Sequence, residues 1–185
     1  MDGLNLDALR RQVATDDQGR LTPQAAAAAA IGFIGLASVI AVCLPAVQNS
    51  PKRFLWYRLL DKPKATPPDP VFGVAWPLIE VALAYAGFRL LQQPATPRRN
   101  AAIGLLAANV SLIPGYQALF FTARSVTGGL IAATAMVAGA WAYVATAWTV
   151  DRRAALAGLP LAGWTGFAEY LMAEVWRRNA KLAGA

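Results

Sequence analysis

The sequence predicts an all-α fold: an integral membrane bundle of five transmembrane helices. Three observations carry it. Of 185 residues, 57% are hydrophobic and 15% charged, too apolar a balance for an ordinary soluble domain. No Asp, Glu, Lys or Arg lies between Arg20 and Lys52, between Asn100 and Ala123, or between Ser125 and Val150. Two more apolar segments, 70–91 with Glu80 as its one acid and 154–176 with Glu169 and Glu174, complete a set of stretches near the length a bilayer-spanning helix needs. The 12 prolines and 15 glycines follow no period, which removes collagen-like and low-complexity readings.

Residues 1–24 form a polar leader in which Leu6, Leu9 and Val13 fall on one helical face beside Arg10 and Arg11, the pattern of an interfacial amphipathic helix or of a solvated tail. The first span covers 25–47. It is longer than the apolar core of a cleaved signal, so it is expected to be retained, with Thr22 as N-cap and Pro23 as first helical residue. The longest loop, 48–69, mixes Lys52, Arg53, Arg58, Lys62 and Lys64 with Phe54, Trp56 and Tyr57, and ends in a proline-rich stretch. Those prolines prevent helix continuation and set Asp69 as N-cap of the second span, 70–91. The remaining spans are 100–122, 127–149 and 154–176, joined by short connections that make neighbours antiparallel. Residues 25–180 are thus one membrane domain, followed by a tail, 181–185. Orientation stays open: the two sides collect eight and nine Lys and Arg.

Absent residues narrow the chemistry. A single cysteine, Cys43, allows no intrachain disulfide and no thiolate cluster, and a chain without histidine has no imidazole for metal, haem or general-base work. A non-catalytic role with no metal and no tightly bound cofactor is expected. The net charge of +7 sits in short flanks beside the spans, which points to anionic lipid headgroups rather than nucleic acid.

Of the six tryptophans, Trp56, Trp148 and Trp176 lie near span ends, where interfacial belts form. Trp76 and Trp164 lie inside spans, where an indole needs a polar partner, a packed core or a flat ligand to stack on.

Here the residues reach a family. Trp56-Tyr57-Arg58-Leu59-Leu60-Asp61-Lys62-Pro63, then Pro67-Pro68, Val71-Phe72 and Ala75-Trp76, resemble the first-loop and second-helix signature of the tryptophan-rich sensory protein (TspO/MBR, translocator protein) family. Asn109 with Pro114 and Phe120-Phe121, and Pro160 with Trp164, Glu174 and Asn179, agree in spacing, so the resemblance covers about residues 25–180. It implies a five-helix bundle binding a porphyrin, or a similar aromatic or sterol-like ligand, in a cleft closed by the first loop. On that resemblance Trp76 and Trp164 match cleft tryptophans implicated in porphyrin binding and photochemical breakdown. Trp56, Tyr57, Pro68, Phe72 and Asn109 match neighbouring positions, and Arg53, Arg58 and Lys62 are lid cations able to pair with propionates. The chain departs from the family pattern at Lys64-Ala65, Leu112 and Met172, and carries about four extra residues between Pro114 and Phe120.

Two acids at membrane depth need partners. Glu80, one turn after Trp76, is expected to share its face and meet the ligand, Asn109 or Gln117. Glu169, about 140° round from Trp164, is expected to face a neighbouring helix, a second subunit or another protein. Gly104 with Ala108, and Ala135 with Gly139, are small-residue pairs that permit close helix contact, a homodimer included. The favoured reading is a bacterial inner-membrane protein that binds a tetrapyrrole or similar hydrophobic molecule for sensing, sequestration or trafficking. The alternative is a structural subunit of a larger membrane complex, photosynthetic complexes included, that has lost the pocket.

Overall fold

A computed structural model describes residues 15–43 and 51–180. Among the described residues six α-helices follow in order: α1 Pro23–Cys43, α2 Pro51–Leu59, α3 Asp69–Leu91, α4 Pro97–Tyr116, α5 Val126–Trp148 and α6 Arg152–Arg178. A π-helical turn, Gln117–Thr122, prolongs α4. The long helices begin where sequence chemistry allows. Pro23 and Pro97 open α1 and α4, where a missing N–H costs nothing. Thr96, Ser125 and Asp151 cap α4, α5 and α6, accepting from the N–H groups of Arg99, Gly128 and Ala154 at 3.2, 2.9 and 2.8 Å.

The five long helices close into a ring in which α1 touches α3 and α4, α3 touches α6, α6 packs along α5, and α5 returns to α4. Their shared core includes Ile34, Leu83, Leu106, Tyr143 and Leu161. Small residues set the closest approaches. Gly158 of α6 lies against the Tyr143 ring, and a side-chain carbon on Gly139 of α5 would fall 2.7 Å from the Asn109 amide of α4. A second core at the opposite end from the α3–α4 turn gathers Leu60, Phe120, Val126, Ala133, Met172 and Val175.

Among the described residues, four helical segments are long and apolar enough to cross a membrane: Pro23–Ala41, Asp69–Leu91, Pro97–Thr122 and Val126–Trp148. The fifth predicted span lies in α6, whose 27 residues are long enough, but Glu169, Glu174 and its terminal arginines leave it less apolar than the others.

Several local expectations change. The first loop is not irregular throughout, because Pro51–Leu59 is helical. Asp69 is the first residue of α3 rather than its cap; Pro68 holds the cap position, and no side chain bonds there. Of the predicted amphipathic leader, residues 1–14 lie outside the described residues, and 15–22 are not helical. Thr15 and Leu21 pair as an antiparallel bridge around a turn in which Asp16 Oδ1 accepts the Gln18 and Arg20 N–H groups, both at 2.9 Å. This turn clasps the α3–α4 connection: Leu21 N–H donates to the Leu91 carbonyl at 3.0 Å, and Ala95 N–H to that of Gln18 at 2.8 Å. Arg99, 8% exposed, completes that end by donating from Nε and Nη2 to the Leu90 and Leu91 carbonyls, both at 3.1 Å, and so caps α3.

Candidate ligand cleft

The start of α3 and the middle of α6 bring four aromatic rings together. Phe72 and Trp76, one turn apart on α3, share a face, and Trp164 approaches it from α6. The Trp164 ring centroid lies 5.5 Å from Phe72 and 6.5 Å from Trp76, both edge-on, and Phe167 adds a tilted contact at 6.0 Å. Edge-to-face geometry is what ring quadrupoles favour, and both tryptophans remain half-buried against the main core.

A second aromatic group lies under α2. Trp56 and Tyr57 meet Phe120 at 5.3 and 6.3 Å, Tyr57 meets Phe121 at 5.6 Å, and Tyr116 stacks on Phe120 at 5.5 Å. Phe120 and Phe121 lie within the π-helical turn, where Phe120 is turned inward to 2% exposure. Phe120 and Met172 both reach Gly129 of α5, where an added side-chain carbon would fall 2.6 and 2.9 Å from them, so the space beneath α2 is filled by the protein's own side chains.

The loop after α2 is clamped to the bundle. Asp61 N–H donates to Asn179 Oδ1 at 3.1 Å, and Asn179 Nδ2 donates back to the Asp61 carbonyl at 3.0 Å. Lys62 curls back over α2, donating from Nζ to the Tyr57 carbonyl at 2.7 Å with the ammonium 4.2 Å from the Tyr57 ring centroid. Burial holds the Lys62 ammonium below the ordinary lysine range, with Arg58 adding to the effect and Asp69 opposing it. Burial, then Asp69, pushes the Tyr57 hydroxyl up.

The other predicted site residues scatter. Arg58 and Pro68 are exposed at the lid, and the side chain of Arg53 lies outside the described residues. Glu80 is half-buried on α3. Asn109, 1% exposed, donates to the Leu105 carbonyl at 3.0 Å while its Oδ1 has no hydrogen-bond partner, so it serves the α4–α5 contact and does not bond Glu80. Glu169 accepts from Thr134 Oγ1 of α5 at 3.0 Å. Gly104 and Ala108 are exposed on α4, with open space around Gly104. Trp56, expected in an interfacial belt, packs into the lid instead.

The TspO/MBR family model matches residues 27–177, a range that includes the lid, the indole pair and most of the five-helix ring. The chain belongs to the TspO/MBR family. Protein CrtK of Rhodobacter capsulatus is 27% identical over 126 residues, covering 67% of this chain and 78% of that protein. The translocator proteins of Homo sapiens and Sus scrofa are each 30% identical over 127 residues, covering 67% of this chain and 75% of theirs. For this TspO/MBR protein, the candidate set read from the sequence omits several residues that pack with it. Tyr116, Phe120, Phe121, Phe167 and Met172 line the lid or flank the indoles, and only the Phe120-Phe121 doublet signalled it in advance.

Proposed function

We propose that this TspO/MBR protein binds a tetrapyrrole, or a similarly flat and apolar molecule, at the Trp76–Trp164 pair beneath the first loop, and serves in sensing, sequestration or trafficking. The carrying observation is the indole pair itself: two half-buried tryptophans from different helices, edge-on, with Phe72 and Phe167 beside them. Such a wall stacks on a macrocycle without an axial ligand. Arg58 and Lys62 stand on the lid, where propionates would meet cations. Because Phe120 and Met172 fill the space beneath α2, entry requires the lid to lift from its Asn179 clamp and these side chains to turn aside. In this reading α6 is the fifth span, and the exposed Gly104–Ala108 face of α4 is where a homodimer would form. A relative from a bacterium supports a bacterial inner membrane as the location.

The test is a titration of the purified protein with protoporphyrin, read by tryptophan emission. Saturable quenching is expected, with Trp76→Phe and Trp164→Phe each weakening it about tenfold, the equivalent of roughly 1.4 kcal/mol. Quenching that never saturates, or that both variants leave unchanged, overturns the proposal.

A further inference from the structure

Two acids lie at membrane depth, and the fold answers one of them. Glu169 of α6 accepts from Thr134 Oγ1 at 3.0 Å. Glu80, half-buried on α3, makes no hydrogen bond and no ion pair among the described residues. A carboxyl group without a partner inside a bilayer is costly, and such groups ordinarily serve a ligand, an ion or a neighbouring chain. The helix sets its depth: Glu80 lies eleven residues along α3 from Asp69, about 16 Å from the lid end.

A second acceptor that has lost its donor lies beside it. Pro77 stands inside α3 and has no N–H, so the Gly73 carbonyl lacks the helical hydrogen bond that residue 77 would otherwise donate. That carbonyl points along the helix toward Pro77. Helical side chains lean the other way, toward the N-terminus, which carries the Glu80 carboxyl back over the same turn. The turn also holds Trp76, whose ring meets Trp164 edge-on at 6.5 Å, and Phe72, one turn earlier, meets Trp164 at 5.5 Å. Two acceptors therefore converge beside an aromatic wall. A neutral apolar molecule would leave both unsatisfied. A positively charged N–H group pairs with the carboxylate, donates to the carbonyl and is attracted to the indole face.

We infer that the ligand of the indole pair carries a protonated nitrogen, held by the Glu80 carboxylate and the Gly73 carbonyl. The inference rests on the reading of Trp76 and Trp164 as a ligand wall and adds the chemical class which that wall receives, a flat aromatic amine in its cationic form. An organic cation fits rather than a bare metal ion, because hard cations take about six oxygen ligands and the four rings here supply none.

Tryptophan emission of the purified full-length protein, titrated at neutral pH in a neutral detergent, tests this with three probes. They are protoporphyrin, the cationic 9-aminoacridine, and acridine, which has the same three rings and is neutral. 9-Aminoacridine should quench saturably and bind about tenfold tighter than acridine. Glu80→Gln keeps the shape and removes the charge, so it should abolish that preference while leaving acridine binding within about twofold of the wild type. Pro77→Ala returns an N–H to the Gly73 carbonyl and should weaken 9-aminoacridine severalfold without changing acridine. Equal affinity for the two acridines, or a preference that Glu80→Gln or Pro77→Ala leaves intact, overturns the inference, while saturable protoporphyrin quenching keeps the cleft itself. Equal loss of both acridines in Glu80→Gln would mark a structural role for the residue and overturn it as well. Absence of saturable quenching by all three probes overturns the cleft and this inference together.

Discussion

Asn179 and Asp61, 118 residues apart, exchange two hydrogen bonds that fasten the first loop to the last turn of α6. Asn179 is 9% exposed and also donates to the Val175 carbonyl at 2.7 Å, so its amide is fully committed. Asn179→Ala leaves the Asp61 amide pair without protein partners, at a cost of about 1–3 kcal/mol to lid docking. Hydrogen exchange at residues 56–62 should accelerate by one to two orders of magnitude while the core of α5 stays protected. Unchanged exchange at those amides would show that the aromatic contacts of Trp56 and Tyr57 hold the lid without the clamp.

Gly158 and Tyr143 set the distance between α5 and α6. Tyr143 is fully buried, its hydroxyl donates to the Ala154 carbonyl at 2.9 Å, and its ring occupies the place a Gly158 side chain would need. Gly158→Ala should destabilise by about 1–3 kcal/mol through overpacking, and Tyr143→Phe by about 1 kcal/mol through the lost hydrogen bond. Chemical unfolding of the detergent-solubilised variants measures both. Because the residues touch, the double variant should depart from the sum of the singles, and strict additivity would count against the contact.

The aromatic positions that matter were legible to different degrees, for physical reasons. Trp76 and Trp164 stood out because an indole inside a span has few explanations, and the helix start at Pro23 followed from proline's fixed geometry, whereas α4 begins at Pro97, within the connection expected to run to residue 99. Phe120 could not be placed, since a π-turn shifts every later side chain around the helix and its sequence carries no distinct mark. The filling of the lid space by Met172 and Phe120 depends on Gly129 of a third helix, a long-range coincidence that periodicity does not encode. Glu80 illustrates the opposite limit. Its spacing from Trp76 fixed its face, yet whether Asn109 would answer it depended on the α4–α5 approach at Gly139.

The turn at Gly19 is a local test of the N-terminal clasp. Its φ of 71° lies in the left-handed region, and an added side-chain carbon would fall 2.7 Å from Cβ of Ala95. Gly19→Ala therefore meets both backbone strain and a clash, about 1–2 kcal/mol for the backbone alone. Proteolysis near residues 15–22 should quicken severalfold while α3 and α4 remain folded. Resistance equal to the wild type would mean that the clasp is not held by the Gln18–Ala95 and Leu21–Leu91 hydrogen bonds.

Asp151 makes stability depend on pH in a predictable direction. Burial alone would push its carboxyl up, but the Arg89 hydrogen bond, the Ala154 N–H and the Arg89 charge together hold it below the ordinary aspartate value. A depressed carboxyl contributes stability that is complete above its unfolded value, about 3.9, and that is lost as pH falls from there through the folded value. The difference in unfolding midpoint between wild type and Asp151→Asn should therefore be constant from neutral pH to about 5 and shrink below about 4. Asparagine keeps an oxygen to cap α6 but removes the charge that Arg89 needs, so at neutral pH the variant should already be the less stable protein. Arg89→Gln, by removing the partner that holds the carboxyl down, should lower stability at neutral pH and shrink the loss on acidification. Parallel midpoint curves for wild type and Asp151→Asn across the whole acid range would show that the Arg89–Asp151 pair contributes nothing through its ionisation.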